Sequence, residues 1–362
     1  MAHDINREQC SAYELCGGCS YQHLSGSDYK ALKINYFNNA FASLQLNDAC
    51  YQTPIFIPHH TRRRTAISFY NDGKNYVWGY KQAKSHKIIA APDCVVVTPL
   101  IEKTMPILAE LIEPLVKQDI QVKAYITEAH NGLDIHLKGL KAPKPKALSH
   151  FNEVFFKAIP KAIRLSIDDD IIGQTHMPLI DIAGFQMPLP HDVFLQPSQQ
   201  GQNILIEKVM AGLGKTNKKT KIIDLFCGLG TFTLPISQQC YVAGYDNAGN
   251  AIDALIDIKK HENLDHRLDV FKRDLFRDPV SFMELKQFDI AVIDPPRAGA
   301  QAQMEQMAKS SLKKIIYVFC DTQTAARDLK ILTQNGFTIK SLTAIDQFVD
   351  SQHIEGIAII CK

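Results

Sequence analysis

Asp224-Leu225-Phe226-Cys227-Gly228-Leu229-Gly230-Thr231-Phe232 is the stretch that decides the reading of this chain. An apolar strand at 221–226 runs into a glycine-rich turn, and a helix opens over 231–237. Glycines at a strand-to-helix turn let backbone approach a ligand closely. The next strand, 241–245, leads to Asp246, where an acid can bond a ribose diol. This logic fits a dinucleotide or S-adenosylmethionine. Thr233 stands where the third glycine of the dinucleotide fingerprint belongs. That favours S-adenosylmethionine, which has no pyrophosphate to cradle. A tight turn with no ligand is the bland alternative.

Strand and helix signals continue to alternate downstream. A helix is expected at 248–261, with strands at 268–271, 288–293, 315–319, 338–345 and 354–361. Seven strands ending in a hairpin suit a doubly wound, Rossmann-like α/β sheet with one antiparallel strand. Upstream the pattern differs. Strands are expected at 64–70 and 76–80, joined by Asn71-Asp72-Gly73, and further on at 121–127 and 132–137. Helical spacing covers 28–46 and 104–116, and a Lys/Pro-rich loop covers 138–146. The expected architecture is a mixed α+β central domain at 1–190 followed by the Rossmann-like domain at 191–362.

The 362 residues are too many for one ordinary domain. Apolar residues at 46% and charged residues at 22% are usual for globular protein. No run of 18 apolar residues is present, so no membrane span is expected. The first eight residues lack a signal-peptide pattern, so a cytoplasmic location is expected, and a monomer. Nine cysteines without an export signal point to metal binding or catalysis before disulfides.

A net charge of +2 permits nucleic-acid binding without arguing for it, so a basic patch has to be local. Arg62-Arg63-Arg64, Lys81, Lys84, His86 and Lys87, interleaved with Tyr76, Trp78 and Tyr80, offer charges for phosphates and rings for bases. A solvated basic face with Trp78 in the core is an equal reading.

Cys320 ends the apolar run 314–320, and Asp321-Thr322-Gln323-Thr324 opens a helix. Ligands of open α/β sheets bind just outside the carboxyl ends of strands, so this thiol faces a crevice. Asp294-Pro295-Pro296-Arg297 leaves the strand at 288–293, and its two prolines make a stiff corner. An aromatic after Asp-Pro-Pro would suggest methylation of a base amino group; here Arg297 follows.

A thiol beside a methyl donor has one well-defined use. Uracil C5 is a poor nucleophile until a thiolate adds to C6 and converts the ring to an enolate. A base must then remove the C5 proton, and Glu355 in His353-Ile354-Glu355 is the candidate. Taken alone, Cys320 is equally a small buried apolar residue, and Glu355 a solvated hairpin charge.

Cys10-x5-Cys16-x2-Cys19, with a distant Cys94, offers four thiolates for Zn²⁺ or an iron–sulfur cluster. Spacing does not separate the two. Gly17-Gly18 lets the loop wrap a bulky centre.

Asp224 to Phe232, Asp294 to Arg297, Phe319-Cys320 and His353 to Glu355 together resemble the uridine-C5 RNA methyltransferase family in order and spacing. The resemblance implies Cys320 as nucleophile and Glu355 as base. It implies S-adenosylmethionine contacts from Gln196, Phe232, Asp246 and Asp294. Ribosomal-RNA members carry a similar cysteine pattern, which implies a structural 4Fe–4S cluster on Cys10, Cys16, Cys19 and Cys94, with zinc as the alternative.

Large-subunit (23S) ribosomal RNA is therefore the favoured substrate and transfer RNA the second. A binding or ribosome-assembly factor that has lost catalysis is a rival. Many members also carry an N-terminal OB-fold; nine residues precede Cys10, so that module is not expected. The central domain is then expected to recognise the RNA, with the target base flipped out to reach Cys320. The family's Ser-Cys-Asn-Pro is replaced by Phe319-Cys320-Asp321-Thr322, and its Phe-Pro-His-Thr by Phe348-Val349-Asp350-Ser351. Both replacements are expected on the substrate side of the pocket.

Overall fold

The structure, a computed structural model, describes residues 9–141 and 144–362. The first eight residues, read for a signal peptide, and part of the Lys/Pro-rich loop lie outside the described residues. The N-terminal part contributes α1 (Gly26–Ala40), β1 (Ile55–Phe56), β2 (Arg64–Asn71), β3 (Tyr76–Lys81), β4 (Ile88–Ile89), α2 (Pro99–Ile112), β5 (Gln121–Ala129) and β6 (Gly132–Lys138). It continues with α3 (Pro145–Ala158), β7 (Ala162–Ile167), β8 (Asp170–Gln174), β9 (Leu179–Ile182) and β10 (Phe185–Pro188). The remainder holds α4 (Gln199–Leu213), β11 (Lys221–Leu225), α5 (Thr233–Ser237), β12 (Tyr241–Asp246), α6 (Gly249–His261), β13 (Leu268–Lys272) and β14 (Ile290–Ile293). It ends with α7 (Gln301–Ala308), β15 (Lys314–Phe319), α8 (Thr322–Thr333), β16 (Thr338–Asp346) and β17 (Glu355–Cys361).

Two large sheets result. One has the order β4-β3-β2-β5-β6-β7-β8, the other β1-β16-β17-β15-β14-β11-β12-β13. In the second sheet only β17 runs antiparallel to its neighbours. Its central strands are buried on both faces, which is why β14 and β15 read as unbroken apolar runs. The seven strands expected after residue 220 are present. An eighth, β1, joins the edge from upstream by pairing parallel to β16.

Helix α1 also belongs to this layer. Ser25 caps its N-terminus, accepting from Asp28 N, and the helix buries Tyr29, Lys33 and Phe37. Phe37 stacks on Phe319 with ring centroids 6.1 Å apart, and Phe41 meets the same ring edge-on at 5.6 Å. Phe319 is 2% exposed. The expectation that it lies on the substrate side is therefore corrected: successive strand side chains alternate faces, so Phe319 points into the core behind Cys320. Asp321 likewise has a local task. Its Oδ1 accepts from Gln323 N at 3.1 Å and Thr324 N at 2.9 Å, capping α8.

Gly356, the residue after Glu355, faces the same aromatic cluster. A Cβ there would lie 2.7 Å from atoms of both Phe319 and Phe37, neither of which has room to retreat. Gly356→Ala is expected to destabilise the fold by about 1–3 kcal/mol. Denaturant unfolding checks this; an unchanged midpoint would mean that the aromatic cluster is loosely packed.

Helix α2 starts five residues earlier than expected, because Pro99 occupies its first turn, and it gives way to a short 3₁₀ turn at Glu113–Leu115. Helix α4 was not expected at all. Gly201 and Gly212 weaken its signal. Gly201 is needed there because a Cβ would collide with the Gln347 side chain.

Candidate active site

The carboxyl ends of β11, β12, β14 and β15 open on one crevice, as the topology requires. At the glycine turn Phe226, Gly228 and Gly230 all have positive φ, at 61°, 52° and 84°. The two glycines serve different ends. A Cβ on Gly228 would meet nothing within 4 Å, so this residue borders open space. A Cβ on Gly230 would lie 2.7 Å from Leu255 of α6, so that glycine permits helix packing.

Asp246 fastens the turn, accepting from Gly228 N at 2.9 Å and from Ala248 N at 2.7 Å. Beneath it Asp224 is fully buried and accepts from Thr233 Oγ1 at 2.5 Å, while its Oδ1 has no partner. Burial pushes the Asp224 carboxyl up to about 7. An open cradle over a glycine, beside a buried carboxyl oxygen still to be satisfied, fits an adenosyl ligand. The ring of Phe232 is 2% exposed and belongs to the core.

Cys320 and Glu355 meet at the ends of adjacent strands. Antiparallel pairing of β15 with β17 matches Phe319 to Gly356. One step further along this register sets Cys320 opposite Glu355. Burial, then the Glu355 and Asp294 charges, raise the Cys320 thiol to about 12, while Arg297 draws it down. Glu355 is 4% exposed. Burial and the Asp294 charge push it up to about 8. Asp294, half-buried, is raised to about 7 by burial and by Asp246.

Gln347, which the sequence reading missed, joins these groups. Its Nε2 donates to the Glu355 carboxylate and, at 2.9 Å, to Gln196 Oε1. Gln196 Nε2 donates to Asp294 Oδ2 at 3.3 Å. A signal was available: Gln347 is the first polar residue past a strand that ends at the crevice.

The segment preceding Glu355 is pinned from two sides. From α1, Lys33 Nζ donates to Asp346 Oδ1 at 2.9 Å and to the His353 carbonyl, and Tyr29 accepts from Asp350 N at 3.0 Å. From the cysteine segment, Ser20 N and Tyr21 N donate to Asp350 O at 2.7 and 3.2 Å. Asp350 is fully buried, and its carboxylate contacts His59 Nε2 at 2.8 Å.

Cys10, Cys16, Cys19 and Cys94 all line one cavity of about 370 Å³, which also reaches Arg297, Phe348 and His353. Burial raises the thiols of Cys10 and Cys16, and pushes Cys19 up to about 12. Among the described residues no three Cys, His, Asp or Glu side chains close around a single ion. Tetrahedral zinc would need sulfurs about 3.8 Å apart.

The arginine triplet corrects its expected role. Arg63 is 4% exposed and donates to Gln196 O, Gln199 Oε1 and Gln202 Oε1. Arg64 donates to Val193 O at 2.7 Å, and Arg62 to Arg64 O at 3.1 Å. They join β2 to the segment leading into α4. Tyr76 and Tyr80 hydroxyls are likewise held, by Ala109 O and Thr65 Oγ1, and Trp78 packs against the core. Lys81, Lys84, His86 and Lys87 remain exposed.

These arrangements define a class: a methyltransferase-like α/β fold with a thiol and a carboxyl at its crevice. Residues 30–362 match the tRNA (uracil-5-)-methyltransferase family. An uncharacterized RNA methyltransferase of Agrobacterium fabrum is 33% identical, over 96% of this chain and 82% of its own. The 23S rRNA (uracil(1939)-C(5))-methyltransferase RlmD of Vesicomyosocius okutanii is 29% identical, over 98% and 83%. The Pyrococcus abyssi tRNA (uracil-54, C5)-methyltransferase, solved with S-adenosyl-L-homocysteine, shares the fold with a TM-score of 0.72 at 21% identity, over 96% and 86%. The chain belongs to the tRNA (uracil-5-)-methyltransferase family, whose members are RNA uracil-C5 methyltransferases. No helix among the described residues is long and apolar enough to cross a membrane.

Proposed function

We propose that this enzyme methylates uridine C5 in large-subunit ribosomal RNA, with S-adenosylmethionine as methyl donor. The observation that carries the chemistry is that Cys320 and Glu355 each lie next to the paired Phe319 and Gly356, close enough for the Glu355 charge to act on the thiol. Cys320 adds through sulfur to C6, and the C5=C6 electron pair moves toward the C4 carbonyl. C5 then takes the methyl group, and the donor leaves as S-adenosylhomocysteine. Glu355 removes the C5 proton, the sulfur–C6 bond breaks, and the double bond returns. Gln196, Asp246 and Asp294 hold the donor, with Gly228 and the backbone at Phe232 beside it. Arg297 favours the thiolate that must form. Residues 191–362 carry this chemistry, and residues 1–190 carry the cluster and the RNA-facing lysines.

Similarity to the RlmD relative supports ribosomal over transfer RNA. Mapping C5-methylated uridines by mass spectrometry in RNA from cells with and without the gene tests the substrate. Loss of a transfer-RNA methyl group, with ribosomal RNA unchanged, would reverse the assignment. Trapping with 5-fluorouridine RNA and donor tests the chemistry. Binding without an adduct would favour a non-catalytic RNA-binding or assembly role.

The four cysteines hold a 4Fe–4S cluster, which clips the N-terminal segment into a fixed loop. Because Ser20 and Tyr21 bond Asp350, that clip also steadies the approach to Glu355. Protein purified anaerobically is expected to be brown, with a broad absorption of cluster type. Cys19→Ser is expected to lose the colour and to speed amide exchange at residues 350–354. A colourless, zinc-loaded protein would remove the cluster; unchanged exchange would remove the link to the base.

A further inference from the structure

Gln347 belongs to no motif of the sequence. It is 4% exposed and follows Asp346 at the end of β16. Its nitrogen serves two acceptors, Glu355 and Gln196, while its oxygen is buried with no partner and lies against Gly201. Through Gln196 the bonds continue to Asp294. Two amides thus join the carboxyl on the base side to the carboxyl on the donor side. An amide is suited to this place because it carries donors on one arm and an acceptor on the other.

We propose that Gln347 is a positioning residue that orients the Glu355 carboxyl and, through Gln196, ties the proton on Glu355 to occupancy of the Asp294 end of the crevice. The inference rests on Glu355 being the base. In the observed polarity both carboxyls accept. Once Glu355 takes the C5 proton it becomes a donor and needs an acceptor. A half-turn of the Gln347 amide supplies its oxygen. Gln196 must then turn as well, giving its N–H to Gln347 and its oxygen to Asp294, which must carry a proton taken from solvent to donate to it. A ligand that favours one polarity at Asp294 therefore changes proton affinity at Glu355, and the coupling is reciprocal.

The charged groups around Glu355 are Asp294 at the end of β14, Cys320 at the end of β15 and Asp346 at the end of β16, the last paired with Lys33 of α1. Burial and the neighbouring carboxylates raise Glu355, and Gln347 is the group that lowers it.

Gln347→Met is close in volume and removes the donor. Release of methylated RNA from the adduct formed on ordinary uridine RNA, followed in a single turnover against pH, should rise through about pH 8 in the wild type. In the variant that limb should move up by about one unit, with adduct accumulating at neutral pH. A limb that does not move overturns the bridge. Should the variant not fold, S-adenosylhomocysteine binding settles the matter without it. Affinity should change with pH in the wild type between about 7 and 9, and the part of this change centred near 8 should be lost in Glu355→Gln, leaving that of Asp294 near 7. Identical profiles overturn the bridge. Normal turnover in Glu355→Gln overturns the base assignment instead, and the binding profiles still decide the coupling.

Discussion

Cys320→Ala is expected to abolish methyl transfer, by on the order of 10,000-fold or more, and to end covalent trapping. The reason is electronic. Without a nucleophile at C6, C5 carries too little electron density to attack the donor methyl. Of the remaining thiols, Cys227 and Cys240 are buried, Cys50 and Cys361 lie elsewhere on the fold, and Cys10, Cys16, Cys19 and Cys94 are those proposed to hold the cluster. Cofactor affinity should change little, because Cys320 lies on β15, away from the turn after β11. Labelled-methyl incorporation and a denaturing gel with 5-fluorouridine RNA measure the two effects. Persistence of the adduct in the variant would place the nucleophile elsewhere.

Glu355→Gln should separate the two halves of the reaction. Addition and methyl transfer proceed, but the C5 proton stays, so methylated adduct accumulates. Turnover should fall by about 100- to 10,000-fold, the span usual for a lost general base. Glu355 is raised from its ordinary 4.5 to about 8, so wild-type elimination should strengthen as pH rises through 8.

The same shift has a stability consequence of definite sign. Between about 4.5 and 8 the folded chain keeps a proton that the unfolded chain gives up. Stability from this group is full below that window and is lost as pH rises through it. Glu355→Gln should therefore be more stable than wild type at pH 8 and above, while nearly inactive. Thermal unfolding at pH 5 and pH 8.5 checks this. A variant with normal turnover would take Glu355 out of the base role.

Much of this was legible in the chain because it is written locally. The glycine turn, the Asp-Pro-Pro corner and the apolar strand ending at Cys320 each declare themselves within a few residues. Parallel strands buried on both faces give long apolar runs, so β11, β14 and β15 were found within two residues of their ends. Helix α4 was hidden by its internal glycines. One of these answers a contact with Gln347, 146 positions away in sequence. The arginine triplet misled for a related reason. Three adjacent cations look like a phosphate site, and only packing showed that Arg63 spends its hydrogen bonds on Gln196, Gln199 and Gln202.

Cys320 was visible in sequence as a thiol at a strand end, and Glu355 as a carboxyl before the last strand. Sequence also set the fold class and the family, since these depend on short motifs and hydrophobic period. Tertiary structure alone decided what surrounds the pair. Register across β15 and β17 set them opposite each other. Burial and Asp294 raised the carboxyl, and Phe37 and Phe41 drew Phe319 into the core and off the substrate side. Gln347 acquired its place only when β16 and α4 came together. Strand period and turn chemistry are local properties of a chain. Proton affinity and hydrogen-bond partnership depend on groups that folding brings together from distant positions.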